Sequence, residues 1–431
     1  MSEKLLDAHT FSLDFQGNTY TVTSITQHQT FTTKLIVATL NRKVFCMELS
    51  MSHCARPCGC VVVPQSVEIQ FTYIPSGAEI ISIDAFNRSK QADDDFVIGV
   101  TIIKSAESGS PGQYLNIYSD WDVLMDNKPF QLENLAQNCV SLLLDFIPYQ
   151  LTHCQVADTT VWLLGGSDRR IHIYSEDKTK HMYMEVDPSS LLPEFVKTLP
   201  SVPLWTDIAV VGDTRVTATG CECGMLLVTT ISVDTGDNLQ IWEKEFDGPL
   251  TSVKLFSVSP PPLTPPACLG FREEIPGSNS SRLHLCVAYS LGETQVFHNI
   301  MENSLSECSK LPESEGSDLV TSICVADVEM SGHNNIILGT YGQQVLCYQW
   351  LEDEDDWVLS WTRSLSAPVL SVRCEDVTGD GVRELVVVTT RGVQVLQLQL
   401  DSVKKVTIER LKKLVEMKQS KLQNTVINNV Q

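Results

Sequence analysis

The segment best equipped for chemistry is DVTGDGVREL, residues 376–385. Asp376, Thr378, Asp380 and Glu384 offer oxygen ligands at alternate or near-alternate positions, and Gly381 permits a sharp turn. Oxygens so spaced can wrap a hard cation such as calcium. A second copy stands 49 residues earlier, DVEMSGHNNIIL, with Asp327, Glu329, Ser331, Gly332 and Asn335 at the matching places. That copy lacks carboxylates at two of the positions, and Thr378 replaces a stronger ligand in the first. The expectation is no bound metal, with the aspartates accepting hydrogen bonds from backbone N–H groups of a tight turn.

HCARPCGC places His53, Cys54, Cys58 and Cys60 within eight residues. Tetrahedral zinc draws on ligand pairs spaced by two to four residues and set on separate elements. Here Cys54 follows His53 directly and one glycine separates Cys58 from Cys60, so a loop of reduced thiols is expected instead of a zinc site. Cys221 and Cys223, near a turn, carry less weight still. No G-x-S-x-G elbow, G-x-x-x-x-G-K-[ST] loop or H-E-x-x-H helix occurs, and the nine histidines are scattered. No catalytic residue and no cofactor are expected.

The elements that carry these segments repeat. An apolar strand, a short polar or glycine turn and a second strand recur from residues 35, 96, 161, 216, 283, 336 and 385. LIVATLNRKVFCMEL is the first copy and LVVVTTRGVQVLQLQL the seventh. The first strand of each pair is apolar on both faces, as a strand between packed layers must be; the second alternates, as a strand with one wet face does. Asn41, Gly165, Gly166, Gly224, Gly292, Gly342 and Gly392 stand at the turns, where positive φ is expected. The spacing suits four-stranded blades. The fold class is therefore all-β, a seven-bladed β-propeller over residues 1–400. An open stack of hairpins or a pair of sandwiches is the alternative. Two strands between residues 9 and 27 have no blade of their own and are expected to complete the last one, leaving no open sheet edge.

The net charge is −22. Phosphate backbones and anionic lipids repel such a surface, so no nucleic-acid partner is expected. The start lacks the apolar stretch of a secretory leader, and no run is long enough for a transmembrane segment. Reduced thiols and a cytoplasmic setting are expected. The proline-rich insertion 259–282, with one P-x-x-P at residues 262–265, reads as an exposed loop.

Residues 401–431 change character: seven Lys/Arg against three acids leave this tail at +4 and the remainder at −26. An amphipathic C-terminal α-helix is expected, with Ser402 as N-cap and Ile408, Leu411, Val415 and Leu422 on one apolar stripe. That stripe either docks a partner subunit or packs back on its own propeller. A membrane-surface helix is the third reading.

Several stretches are specific enough to compare: residues 69–86 (IQFTYIPSGAEIISIDAF), 114–120, 340–350 (TYGQQVLCYQW) and the Asp376 turn leading to GVQVLQ. Together they resemble the kaptin family of KICSTOR-complex subunits. The Asp376 turn itself resembles the FG-GAP repeat of integrin-type propellers. The resemblance implies a non-catalytic scaffold or adaptor of a nutrient-sensing complex. It would restrain mTOR complex 1 in amino acid or glucose starvation by helping recruit the GATOR complex. It also implies a cytoplasmic location, peripheral at the lysosomal membrane. The partners it implies are a second FG-GAP propeller and a large scaffold protein. An alternative role it carries is actin-filament association with the cytoskeleton.

Overall fold

The computed structural model describes residues 5–27, 33–53, 60–88, 94–105, 111–120, 131–180, 182–257, 282–331, 333–351, 356–409, 411, 412 and 415. The chain forms a seven-bladed β-propeller. Every blade is a four-stranded antiparallel sheet. The inner strands are Val22–Thr26, Ala78–Asn87, Pro148–Val156, Pro203–Val211, Leu250–Ser257, Val320–Ala326 and Val369–Glu375, for blades 1 to 7 in chain order. Each blade then runs outward through its second, third and outer strands.

The seven apolar pairs seen in the sequence are the second and third strands. The second strands are the most deeply buried, as with Asn335–Thr340 and Glu384–Thr389, in which every residue is buried. Seven apolar clusters fill the seven interfaces between blades. Ring closure lies in one of them, where Val22, Leu35 and Val37 of blade 1 pack with Phe11, Val386 and Val388 of blade 7.

Strand Leu5–Ser12 pairs with Gly392–Leu398 and so forms the outer strand of blade 7. Val22–Thr26 does not join it. It pairs with Thr33–Ala38 and opens blade 1. The reason is physical: Val22 and Ile25 are buried, and an inner strand must be apolar toward its neighbouring blades. One N-terminal strand is enough to remove the open edge.

The turn chemistry also differs from expectation. Gly224 and Gly392 do have positive φ, 90° and 156°. Asn41, Gly165, Gly166, Gly292 and Gly342 do not; at three of these hairpins the left-handed position falls on Arg42, Arg169 and Gln343, with φ of 57°, 65° and 65°. Gly342 serves close approach instead, since a Cβ there would collide with the carbonyl oxygen of Ser317.

Six inner strands carry a register shift near their start, between Ile80/Ser82, Pro148/Leu151, Pro203/Trp205, Leu250/Ser252, Val320/Ser322 and Val369/Ser371. A bulge re-aims the side chains that follow it. Here it brings the same position of blades 2 to 7 to the central channel.

Candidate functional site

The Asp376 loop joins the inner and second strands of blade 7. Asp376 accepts backbone N–H groups from Gly379, Asp380 and Gly381 at 2.7, 3.2 and 2.9 Å. Asp380 accepts Val382 N–H at 2.8 Å. Buried Glu384 accepts Val377 N–H at 2.9 Å, the Thr378 hydroxyl at 2.9 Å and the Gln397 amide at 3.1 Å. Oxygens of Asp376, Asp380 and Glu384 lie within 4.8 Å of one another, so the three could share a cation. Their oxygens already serve as the turn's internal acceptors. Burial, the largest effect, pushes the Asp376 carboxyl up and the Glu384 carboxyl up to about 7. The geometry is that of an Asp- and Glu-stabilised turn.

In the copy between strands of blade 6, Asp327 accepts Ser331 N–H at 2.7 Å and Glu329 accepts the Trp361 indole N–H at 3.1 Å. Asn335 donates to the Tyr348 carbonyl at 3.4 Å. Gly332 lies outside the described residues. Of the HCARPCGC segment, His53 and Cys60 face each other in backbone register across strands Val44–His53 and Cys60–Ile69; Cys54 and Cys58 lie outside the described residues. Cys221 is buried and Cys223 exposed, neither in a disulfide.

The tail is helical through Glu409, and again at Leu411, Lys412 and Val415. Its first bonds run from Ser402 and Val403 N–H to the Gln399 carbonyl at 2.9 and 3.1 Å. The cap position is therefore Gln399 and not Ser402. Strand Gly392–Leu398 feeds the helix almost directly, which leaves Ser402 inside the first turn. Ile408, Leu411 and Val415 are 42%, 37% and 54% exposed. Packing against the propeller does not cover them; Leu422 lies outside the described residues.

A ring of polar side chains in the central channel escaped the sequence reading. Counted from the bulge, the third residues of blades 2 to 7 are Asp84, His153, Asp207, Lys254, Cys324 and Arg373. Asp84 meets His153 at 2.6 Å, Asp207 meets Lys254 at 3.1 Å, and Arg373 donates to the Val22 carbonyl at 2.6 Å. The Asp84 carboxylate pulls the His153 imidazole up despite its burial. Tyr20 reaches from blade 1 to the Leu204 carbonyl of blade 4 at 2.7 Å, its ring 5.7 Å from Trp205, so this contact crosses the channel where the inner strands begin. A cavity of about 450 Å³ opens onto the ring, lined among others by Phe86, Asn87, His153, Thr206 and Asp207. No single strand marks these residues out, because the inner strands also carry Ser, Thr, Gln or Glu at neighbouring positions.

Residues 5–408 match the family described as KICSTOR complex protein kaptin. The chain is 35% identical over 365 residues to the KICSTOR complex protein kaptin of Mus musculus, covering 82% of this chain and 81% of that protein. The chain belongs to the kaptin family. The family match runs from the strand that closes blade 7 to Ile408 of the tail helix, so it takes in the whole propeller. A chain of the crystal structure of BBS1N in complex with ARL6DN superposes with a TM-score of 0.54 over 93% of this chain and 98% of its own, at 12% identity. That likeness is one of fold alone. Among the described residues, no helix is long and apolar enough to cross a membrane.

Proposed function

We propose that this kaptin-family protein is a non-catalytic scaffold subunit of a KICSTOR-type complex. In that role it helps restrain mTOR complex 1 under amino acid or glucose starvation by assisting recruitment of the GATOR complex to lysosomes. The observation that carries the reading is the family match across the closed propeller, joined to an exposed apolar stripe on the tail helix. A ring of seven packed interfaces is rigid, and rigid rings present loops and edges to partners. The stripe of Ile408, Leu411, Val415 and Leu422 is flanked by lysines. It fits an apolar partner surface with an acidic rim, which the second propeller or the large scaffold of the complex would supply. The chemistry agrees, because the thiols of buried Cys46 and partly buried Cys154 are pushed up to about 12 by desolvation and act as small hydrophobes.

The test is affinity purification of the tagged full-length chain from cells, with stoichiometric partners identified. Recovery of the KICSTOR subunits at near-equal amounts supports the proposal. Recovery of the chain alone, or with actin as its one stoichiometric partner, refutes it.

A further inference from the structure

The outer strand of blade 4, Asn238–Glu245, is the last strand of its sheet, so one of its backbone edges is unpaired. The bond from Phe246 N–H to the Gly224 carbonyl sets which residues face inward. Such pairs alternate in an antiparallel ladder, so Gln240, Trp242 and Lys244 bond their own sheet. Ile241, Glu243 and Glu245 turn their N–H and C=O groups to the open edge. The side chains divide the same way. Trp242 packs on the cluster between blades 4 and 5, and the Lys244 ammonium sits over the Phe297 ring at 4.5 Å. Leu239, Ile241, Glu243 and Glu245 are exposed, the two apolar ones at 53% and 47%. The register shift of this strand lies before Gln240, so residues 240–245 run regularly.

A free, uncovered edge is a template for a further strand unless something blunts it. In the other blades something does. The outer strand of blade 5 has three residues and that of blade 3 five. Pro64 interrupts the edge of blade 1, and a register shift between Asp7 and His9 interrupts that of blade 7. The outer strands of blades 2 and 6 are half-buried or buried at most positions. We infer that the blade 4 edge docks an extended segment of a partner protein as a fifth, antiparallel strand, with basic residues opposite Glu243 and Glu245 and apolar ones beside Leu239 and Ile241. Main-chain bonds supply the affinity and alternate side chains the specificity. A second copy of this chain does not fit. Two-fold antiparallel pairing sets Glu243 against Glu243, Glu243 against Glu245, or both acids against Leu239 and Ile241. The surface is separate from the tail helix, which follows blade 7.

The test is fluorescence anisotropy of the labelled peptide Lys-Thr-Lys-Thr-Val-Thr-Val titrated with the full-length protein, its first lysine set to meet Glu245. One control peptide carries glutamates for the lysines, and another is N-methylated at the second lysine. Saturable binding is expected for the basic, unmethylated peptide alone. Ile241→Pro removes an edge N–H without breaking a bond to the blade, so parent-like melting is expected with affinity lowered about tenfold. Glu243→Lys with Glu245→Lys is expected to reverse the preference to the glutamate peptide. Absence of saturable binding, equal binding of the methylated peptide, parent-like affinity in Ile241→Pro, or unchanged preference in the lysine variant would overturn the inference. If Ile241→Pro fails to fold, the methylated peptide and the lysine variant decide.

Discussion

At the scale of single residues, the interior admits charge where geometry satisfies it. Glu194, in the short 3₁₀ turn Pro193–Phe195, takes a two-pronged contact from Arg215 at 2.8 and 3.0 Å and a third bond from the Thr217 hydroxyl at 3.2 Å. Both partners are buried. Breaking one side strands the other, so Glu194→Gln is expected to destabilise by about 3–5 kcal/mol. The double replacement Glu194→Leu with Arg215→Met should recover most of that loss. Urea unfolding of the parent, Glu194→Leu, Arg215→Met and the double variant checks it, and full additivity of the two single losses would contradict it. His284 illustrates the opposite case. Its Nδ1 is buried without a partner, and its ring lies 5.5 Å from that of Phe256. Burial first, then the neighbouring charges of His298 and Arg282, push it down to about 4 from 6.5. The unfolded chain therefore binds more protons between those values. The His284 contribution to stability is complete above pH 6.5 and is lost as pH falls toward 4. His284→Phe should flatten that part of the stability profile, as unfolding at a series of pH values will show.

At the scale of elements, hairpin turns separate what could be read from what could not. A continuous apolar run followed by an alternating one located all seven strand pairs, because burial on both faces forces the first and one wet face the second. Counting glycines located the turns but misassigned their backbone. The left-handed position falls one residue after Asn41 and Gly342, and three after Gly166, on ordinary side chains. Such a position costs an L-residue about 1–2 kcal/mol. Arg169→Gly and Gln343→Gly are each expected to stabilise by roughly 0.5–1 kcal/mol, the glycine entropy cost offsetting part of the gain. A lower thermal midpoint in both variants would contradict the turn assignment. The Asp376 loop was legible as a ligand-like pattern. What the pattern could not say is that Gly379, Asp380, Gly381 and Val382 N–H groups already occupy those oxygens. The thermal midpoint is accordingly expected to be the same in calcium and in chelator. The channel ring was not legible, since its members come from six blades and meet only after closure.

At the scale of the whole molecule, closure depends on a strand from the far end of the chain. Leu5 and Phe11 are buried in the clusters beside blade 7, and Asp7 meets Arg363 of blade 6 at 2.7 Å. Removing residues 1–12 strips the outer strand from blade 7 and leaves Gly392–Leu398 as an open edge. That variant is expected to aggregate where the parent stays monodisperse in size-exclusion chromatography. The tail helix follows the third strand of that same blade, with Ile408, Leu411 and Val415 exposed. The decisive measurement is binding of the double variant Ile408→Glu and Leu411→Glu to the purified partner subunits of the complex, beside the parent and a chain ending at residue 400. Parent-like melting with partner affinity lowered to the level of the truncated chain is the expected result. Undiminished affinity in both altered proteins would contradict the account.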